Sequence, residues 1–362
     1  MVIFWMVLGL LLLLIGAEVL VRGASKLAAS WGISPLIIGL TVVAFGTSSP
    51  ELAVSLKAVA SGQAGIAMGN VVGSNIFNVL FILGIAAIIS PLIVSRQLIR
   101  LDVPLMIAAS VLVLVFAQDG SLSRIEGGML FVALLLYVVF LVVQGRKEGK
   151  ANAKEVAVDA EILSPSASPK RESHWLVNVG MVVIGLVLLV QGSNWLVEGA
   201  VFIAASLGVS EVVIGLTVVA AGTSLPEVVT SIMASIKGER DIAVGNVVGS
   251  NLFNLLGVLG LSSLLAPGGI PLTESFIGFD LPVMAVVAFA CLPIFFSGGV
   301  ISRWEGFVLF GYYVVYTVYL VLATSHHDSL PLLSKTLFYF AIPLTLVTLV
   351  ALAFRSKEPK LG

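Results

Sequence analysis

The chain has 362 residues, 59% of them hydrophobic and 11% charged, with a mean hydropathy of +1.12. No water-soluble core accommodates that balance, so the chain reads as an integral membrane protein with the lipid bilayer as its surroundings. A formal net charge of −1 without a basic, aromatic-interleaved patch excludes a nucleic-acid partner, and a lone cysteine, Cys291, excludes a disulfide framework or a cysteine metal cluster.

Apolar runs of spanning length predict eleven membrane helices. The first, near 2 to 21, lacks a basic leader and runs on into Glu18 and Arg22, so it reads as a retained span and not a cleaved signal. The next four lie near 35 to 60, 65 to 89, 101 to 117 and 126 to 144. The stretch 145–173, with Ser164, Pro165, Ser166, Ser168 and Pro169 among mixed charges, reads as a flexible linker. Five further spans follow near 175 to 197, 211 to 236, 242 to 266, 277 to 297 and 304 to 323, and an eleventh near 336 to 354. With these spans, sixteen Lys and Arg residues fall on the side of the linker and three, Lys57, Arg124 and Lys335, on the other. Basic loops stay in the cytoplasm, so the N-terminus is expected outside, and the linker and C-terminus in the cytoplasm, of a plasma or inner membrane.

Residues 39–84 laid on 215–260, a constant offset of 176, are identical at 28 of 46 positions. The match continues from Gly16 and Gly192, and pairs Ser123-Arg124-Ile125-Glu126-Gly127 with Ser302-Arg303-Trp304-Glu305-Gly306. The expected architecture is therefore all-α: two five-helix repeats, 1–144 and 174–323, form a ten-helix core, and 324–362 add one C-terminal helix. An odd number of spans per copy inverts the second copy, a plan of secondary transporters with the substrate site between the copies.

Within the second span the sequence reads Gly46-Thr47-Ser48-Ser49-Pro50-Glu51, and within the seventh Gly222-Thr223-Ser224-Leu225-Pro226-Glu227. A carboxylate at that depth costs about 2.5–3.5 kcal/mol on insertion scales and so needs a partner or a task. Pro50 and Pro226 are expected to free the carbonyls of Gly46 and Gly222 and to open the backbone around Thr47 and Thr223. The third and eighth spans carry Gly69-Asn70-Val71-Val72-Gly73-Ser74-Asn75-Ile76-Phe77-Asn78 and its copy, Gly245 to Asn254. Ser74 and Asn78 share a helix face, as do Ser250 and Asn254. Two bidentate carboxylates, two Asn amides and two freed carbonyls offer eight oxygens and two negative charges, a donor set suited to calcium and not to softer metals. Asn70, Asn75, Asn246 and Asn251 read equally as members of this site or as bonds between neighbouring helices. Glu18, Asp102 and Asp280 read as interfacial caps, and His174, His326 and His327 as loop residues.

These paired motifs resemble the alpha-1 and alpha-2 repeats of the calcium/cation antiporter superfamily, across nearly the whole ten-span frame. The resemblance implies alternating access, with calcium and sodium competing for overlapping sites. Glu51 and Glu227 would bind every ion, and Thr47 and Thr223 would add backbone and hydroxyl oxygens. Ser48, Ser74, Ser224 and Ser250 would line flanking sodium sites, Ala44 and Ala220 would give carbonyls, and Asn78 and Asn254 would close the centre. Some relatives, including potassium-dependent ones, have Asp at the position of Asn254; with Asn in both copies, no potassium requirement is expected. No histidine lies within a span to act as a base, which argues against an enzyme, and one inverted pair with broken helices favours a carrier over a channel. No cofactor and no obligatory protein partner are expected. The alternative to sodium coupling is a proton antiporter for calcium or another divalent cation.

Overall fold

The computed structural model describes residues 1–163, 175–206, 220–296, 298–324 and 330–331. The eleventh span, the first part of the seventh, the linker beyond 163 and all three histidines lie outside the described residues. Among the described residues the chain is built of helices, with four two-residue strands. In order these are α1 (Val2–Trp31), α2 (Pro35–Thr47), α3 (Ser49–Ala60), α4 (Ala64–Ile89), β1 (Leu92–Ile93), α5 (Leu98–Asp119), β2 (Ser121–Leu122) and α6 (Arg124–Leu163). Then come α7 (Trp175–Ser206), α8 (Ala220–Thr223), α9 (Leu225–Ile236), α10 (Arg240–Leu265), β3 (Ile270–Pro271), α11 (Phe276–Phe296), β4 (Val300–Ile301) and α12 (Arg303–Thr324).

Among the described residues eight helices are long and apolar enough to cross a membrane, and α2 with α3, bent by 43° at their junction, makes a ninth. Most lie within a few residues of the expected spans. The differences have local causes. α1 runs on to Trp31, where Gly32 turns left-handed (φ 69°) and returns its N–H to Ala28. α6 continues past the expected span to Leu163, so 145–163 of the expected flexible linker is helical. That stretch is rich in Ala, Lys and Glu, good helix formers.

Lipid and core divide as the sequence pattern requires. α10 is buried at every residue from Ile242 to Leu259, whereas α1 turns Ile3, Phe4, Val7, Leu10, Leu11 and Leu14 outward. α1 and α7 lie against each other nearly backbone to backbone. A Cβ on Gly192 would sit 2.6 Å from the carbonyl of Gly9, and one on Gly16 2.9 Å from that of Gly185. Such contact is open only to glycine, and it replaces the hydrophobic drive that lipid removes.

The two matching serine–glutamate sequences are capping boxes. Ser123 donates its N–H and hydroxyl to Glu126 at 2.8 and 2.7 Å, and Ser302 donates both to Glu305 at 2.7 and 2.6 Å, which starts α6 and α12. Immediately before them, β1 pairs antiparallel with β4 (Leu92 opposite Ile301) and β2 with β3 (Ser121 opposite Pro271). By sequence, β1 corresponds to β3 and β2 to β4, yet each strand pairs with the other kind. The α4–α5 loop thus meets the α11–α12 loop at one end of the molecule, and the α5–α6 loop meets the α10–α11 loop at the other.

Candidate cation-binding site

The break between α2 and α3 falls at Ser48 (φ −83°, ψ 8°), and its counterpart between α8 and α9 falls at Ser224 (φ −88°, ψ 7°). Pro50 and Pro226 occupy the first turn of the following helix, where a missing N–H costs nothing. Glu51 and Glu227 sit in that same first turn, at the positive end of the helix dipole. A serine at the start of a helix ordinarily caps it with its own hydroxyl. These two do not.

Instead each reaches across to the other copy. Ser48 Oγ donates to Glu227 Oε1 at 2.8 Å, and Ser224 Oγ donates to Glu51 Oε1 at 2.7 Å. The Ser224 and Ser74 hydroxyl oxygens are 3.2 Å apart. Both carboxylates are about 1% exposed and repel one another. Each therefore has one oxygen held by a hydroxyl. Among the described residues the other oxygen of each, Glu51 Oε2 and Glu227 Oε2, has no hydrogen-bond partner, and nor have Asn78 Oδ1, Asn254 Oδ1 and Ser250 Oγ. Four of these five can only accept, so the shortage is of positive charge or donors, which a cation supplies. Among the described residues no three His, Cys, Asp or Glu side chains cluster; the donor set is hard oxygen with two carboxylates, suited to calcium or sodium cargo.

Asparagines brace this arrangement. Asn70 Nδ2 donates to the Glu51 carbonyl at 3.0 Å and to Ser55 Oγ at 2.9 Å. Asn246 Nδ2 repeats this with the Glu227 carbonyl (3.5 Å) and Ser231 Oγ (2.9 Å), and its Oδ1 accepts from Thr47 Oγ1 at 3.1 Å. Thr47 thereby has its proton occupied and its oxygen lone pairs left to point elsewhere. Asn78 Nδ2 donates to Asn251 Oδ1 at 3.0 Å. In each copy the central asparagine sits where α-helical winding gives way to a π-helical stretch, 78–83 in α4 and 253–259 in α10. Such widened turns recur at functional sites.

Thr47, Ser48, Ser74, Asn78, Ser224, Ser250 and Asn254 are all buried with the two glutamates, and Thr223 is partly buried. Two expected ligands carry other bonds. The Ala44 carbonyl accepts from the Ser48 N–H (3.0 Å), because the last turn of α2 closes normally, and it lies 3.4 Å from Thr47 Oγ1. The Gly222 carbonyl accepts from Ser193 Oγ of α7 at 2.7 Å, so it is not simply freed by Pro226. Ser193 was legible as a departure from the repeat, since Ala17 stands at the matching position. Ala220 opens α8. The expected caps are something else: Asp102 is fully buried and accepts from Tyr137 at 2.9 Å, Asp280 accepts from Tyr316 at 3.1 Å, and Glu18 pairs with Arg22 and Lys237.

A family profile described as sodium/calcium exchanger protein matches the chain over residues 1–143 and 177–322. The chain belongs to the sodium/calcium exchanger family. Sodium/calcium exchanger MaX1 of Methanosarcina acetivorans is 37% identical over 341 residues, covering 87% of this chain and 97% of that protein. Inner membrane protein YrbG of Escherichia coli K12 is 40% identical over 284 residues, 78% of this chain and 85% of that one. Solved structures of the sodium-calcium exchanger NCX_Mj are similar too. The one soaked with zero Na+ and Ca2+ gives a TM-score of 0.74 at 30% identity, covering 88% of this chain and 98% of that one. As a member of the family the chain is a multi-pass membrane transporter.

Proposed function

We propose that this exchanger-family chain moves calcium in one direction and sodium in the other by alternating access, with Glu51 and Glu227 binding both ions. The observation that carries the reading is the reciprocal serine–glutamate exchange, which leaves one oxygen of each buried carboxylate unpartnered. In this reading Asn78 and Asn254 complete the calcium position. Thr47, Thr223, Ser48, Ser74, Ser224 and Ser250 serve flanking sodium positions, with the backbone of Ala44 and Ala220. Two fixed negative charges match one calcium ion, and sodium entering beside either carboxylate weakens the hold on it. If three sodium ions exchange for one calcium, each cycle moves one net charge, worth about 2.3 kcal/mol per 100 mV.

The architecture we assign is two inverted five-helix repeats, 1–144 and 174–323, with a cytoplasmic linker at 145–173 and a further helix within 324–362. The 176-residue offset and the crossed pairing of β1 with β4 and β2 with β3 support it. The excess of basic residues on the linker side supports an N-terminus outside. The glycine contacts make α1 and α7 one body, and in our reading this pair slides across α2, α3, α9 and α10 to expose the site on alternate sides.

The test is flux in liposomes loaded with sodium and diluted into sodium-free medium containing calcium-45. Uptake that requires the outward sodium gradient and persists with proton gradients collapsed is expected. Uptake driven by a proton gradient instead would assign the chain to proton-coupled calcium transport.

A further inference from the structure

We propose that Asn75 and Asn251 are positioning residues that turn the side-chain carbonyl of Asn78 toward the transported cation; the inference rests on the calcium-binding reading above. An asparagine amide has an accepting end and a donating end of nearly equal size, and only the oxygen is of use to a cation. An amide free to rotate would present its NH2 group part of the time. Asn78 is not free.

Its orientation follows from groups that can only accept. Asn251 Nδ2 lies 3.4 Å from the backbone carbonyl of Asn75 and 3.5 Å from Met106 Sδ. Both neighbours accept, so the nitrogen of Asn251 must face them and its oxygen must face the other way. That oxygen meets Asn78 Nδ2 at 3.0 Å. Asn78 must then offer its nitrogen to Asn251 and turn its oxygen away, and Asn78 Oδ1 is among the buried acceptors without a partner. Two carbonyl–amide steps thus transmit a direction from the backbone of one repeat to the candidate ligand.

The matching residue of the other repeat locks the relay. Asn75 Nδ2 lies 3.3 Å from the Asn251 backbone carbonyl and 3.9 Å from Met284 Sδ, the same two kinds of acceptor. Asn75 and Asn251 thereby clasp α4 to α10, each reading the other's backbone. The outer arm is made once: Asn251 Oδ1 engages Asn78, whereas Asn75 Oδ1 and Asn254 Oδ1 are unpartnered. Asn78 is the oriented ligand and Asn254 the adjustable one.

The experiment is equilibrium calcium-45 binding to the purified full-length chain, in a double-mutant cycle of Asn251→Leu with Asn78→Asp. Leucine keeps the volume and removes the acceptor. Aspartate has an oxygen at both ends, so its orientation needs no help. Asn251→Leu alone is expected to raise the half-saturating calcium concentration about tenfold, the effect of one buried hydrogen bond to a ligand. In the Asn78→Asp background the same change is expected to have less than about a twofold effect, a coupling that damage to packing would not produce. If Asn251→Leu melts below the assay temperature, Asn251→Ser is read in its place. An equal loss in both backgrounds, or no loss in either, overturns the inference while the binding site stands. Wild-type chain that binds no calcium overturns both.

Discussion

At the residue scale the site is organised by what each group cannot do. A carboxylate cannot donate and a backbone carbonyl cannot donate; one oxygen of each glutamate is held by a serine hydroxyl, and among the described residues the second oxygen has no hydrogen-bond partner. Ser48 and Ser224 contribute equivalent bonds at 2.8 and 2.7 Å to opposite glutamates. Hydrogen bonds to charged groups contribute about 1.5–3 kcal/mol. Ser48→Ala and Ser224→Ala are therefore each expected to weaken calcium binding about tenfold or more, by similar factors, in equilibrium calcium-45 titration. Clearly unequal losses would mean that the two halves of the site bear the ion unequally. Glu51→Gln and Glu227→Gln keep the size of the side chain and remove one of the two charges of the proposed ion site. Each is expected to reduce calcium binding at least about a hundredfold, since breaking a buried charge pairing costs about 3–5 kcal/mol. A melting curve close to wild type would separate that loss from unfolding. The glutamates were legible in the sequence because a buried charge repeated at a fixed offset stands out against an apolar span. The Ser193 bond to Gly222 and the amide relay were not, because they depend on which helix faces which.

At the element scale, periodicity and composition located most of the described helices to within a few residues, although α1, α6 and α7 run well past their expected ends, and proline marked the breaks. What they missed has a common cause. Asp102 and Asp280 stand near the starts of α5 and α11, where an acidic residue ordinarily caps the helix end, but here each finds a tyrosine 35 or 36 residues on. Only the packing of α5 on α6 and α11 on α12 brings them together. Likewise the π-helical stretches at Asn78 and Phe253 come from inserting one extra residue per turn, which leaves no mark in a hydrophobic pattern read at 3.6 residues. The α1–α7 contact can be tested directly. Gly192→Ala puts a Cβ 2.6 Å from the Gly9 carbonyl, so the two backbones must separate. Gly180, on the same helix, has no atom within 4 Å of where a Cβ would go. Alanine exceeds glycine in helix propensity by about 1 kcal/mol. Gly180→Ala is thus expected to leave the thermal midpoint unchanged or raise it, and Gly192→Ala to lower it by several degrees, in a fluorescence melt of the purified chain. Equal midpoints would mean that α1 and α7 are not closely packed in the membrane protein.

At the scale of the whole molecule, the interest lies in where the two-fold is broken. An exchanger with two identical halves would have two access states of equal energy, so any preference must come from residues that differ between the copies. One such difference lies beside α1. Glu18 forms an ion pair with Lys237 at 2.6 Å, and Ser25 donates to Glu239 at 2.6 Å, tying the second half of α1 to the turn between α9 and α10. Shifted by 176 residues, these four become Asn194, Ser61, Val201 and Gln63, which can form no ion pair. Both turns are otherwise alike, each with a left-handed glycine, Gly62 (φ 74°) and Gly238 (φ 79°). The difference is in charge and not in shape. With Glu18 and Lys237 31% and 23% exposed, the pair contributes about 0.2–1 kcal/mol, enough to change the balance of two states up to about fivefold. If α1 and α7 slide as one body, these contacts must part at one extreme of the motion and hold at the other. Lys237→Gln is then expected to speed deuterium uptake across 18–28 of α1 by about two- to fivefold, with the facing stretch 192–204 of α7 changing little. Uptake that rises equally in both segments would indicate general loosening, and uptake that does not change would remove this contact as a source of asymmetry between the two proposed access states.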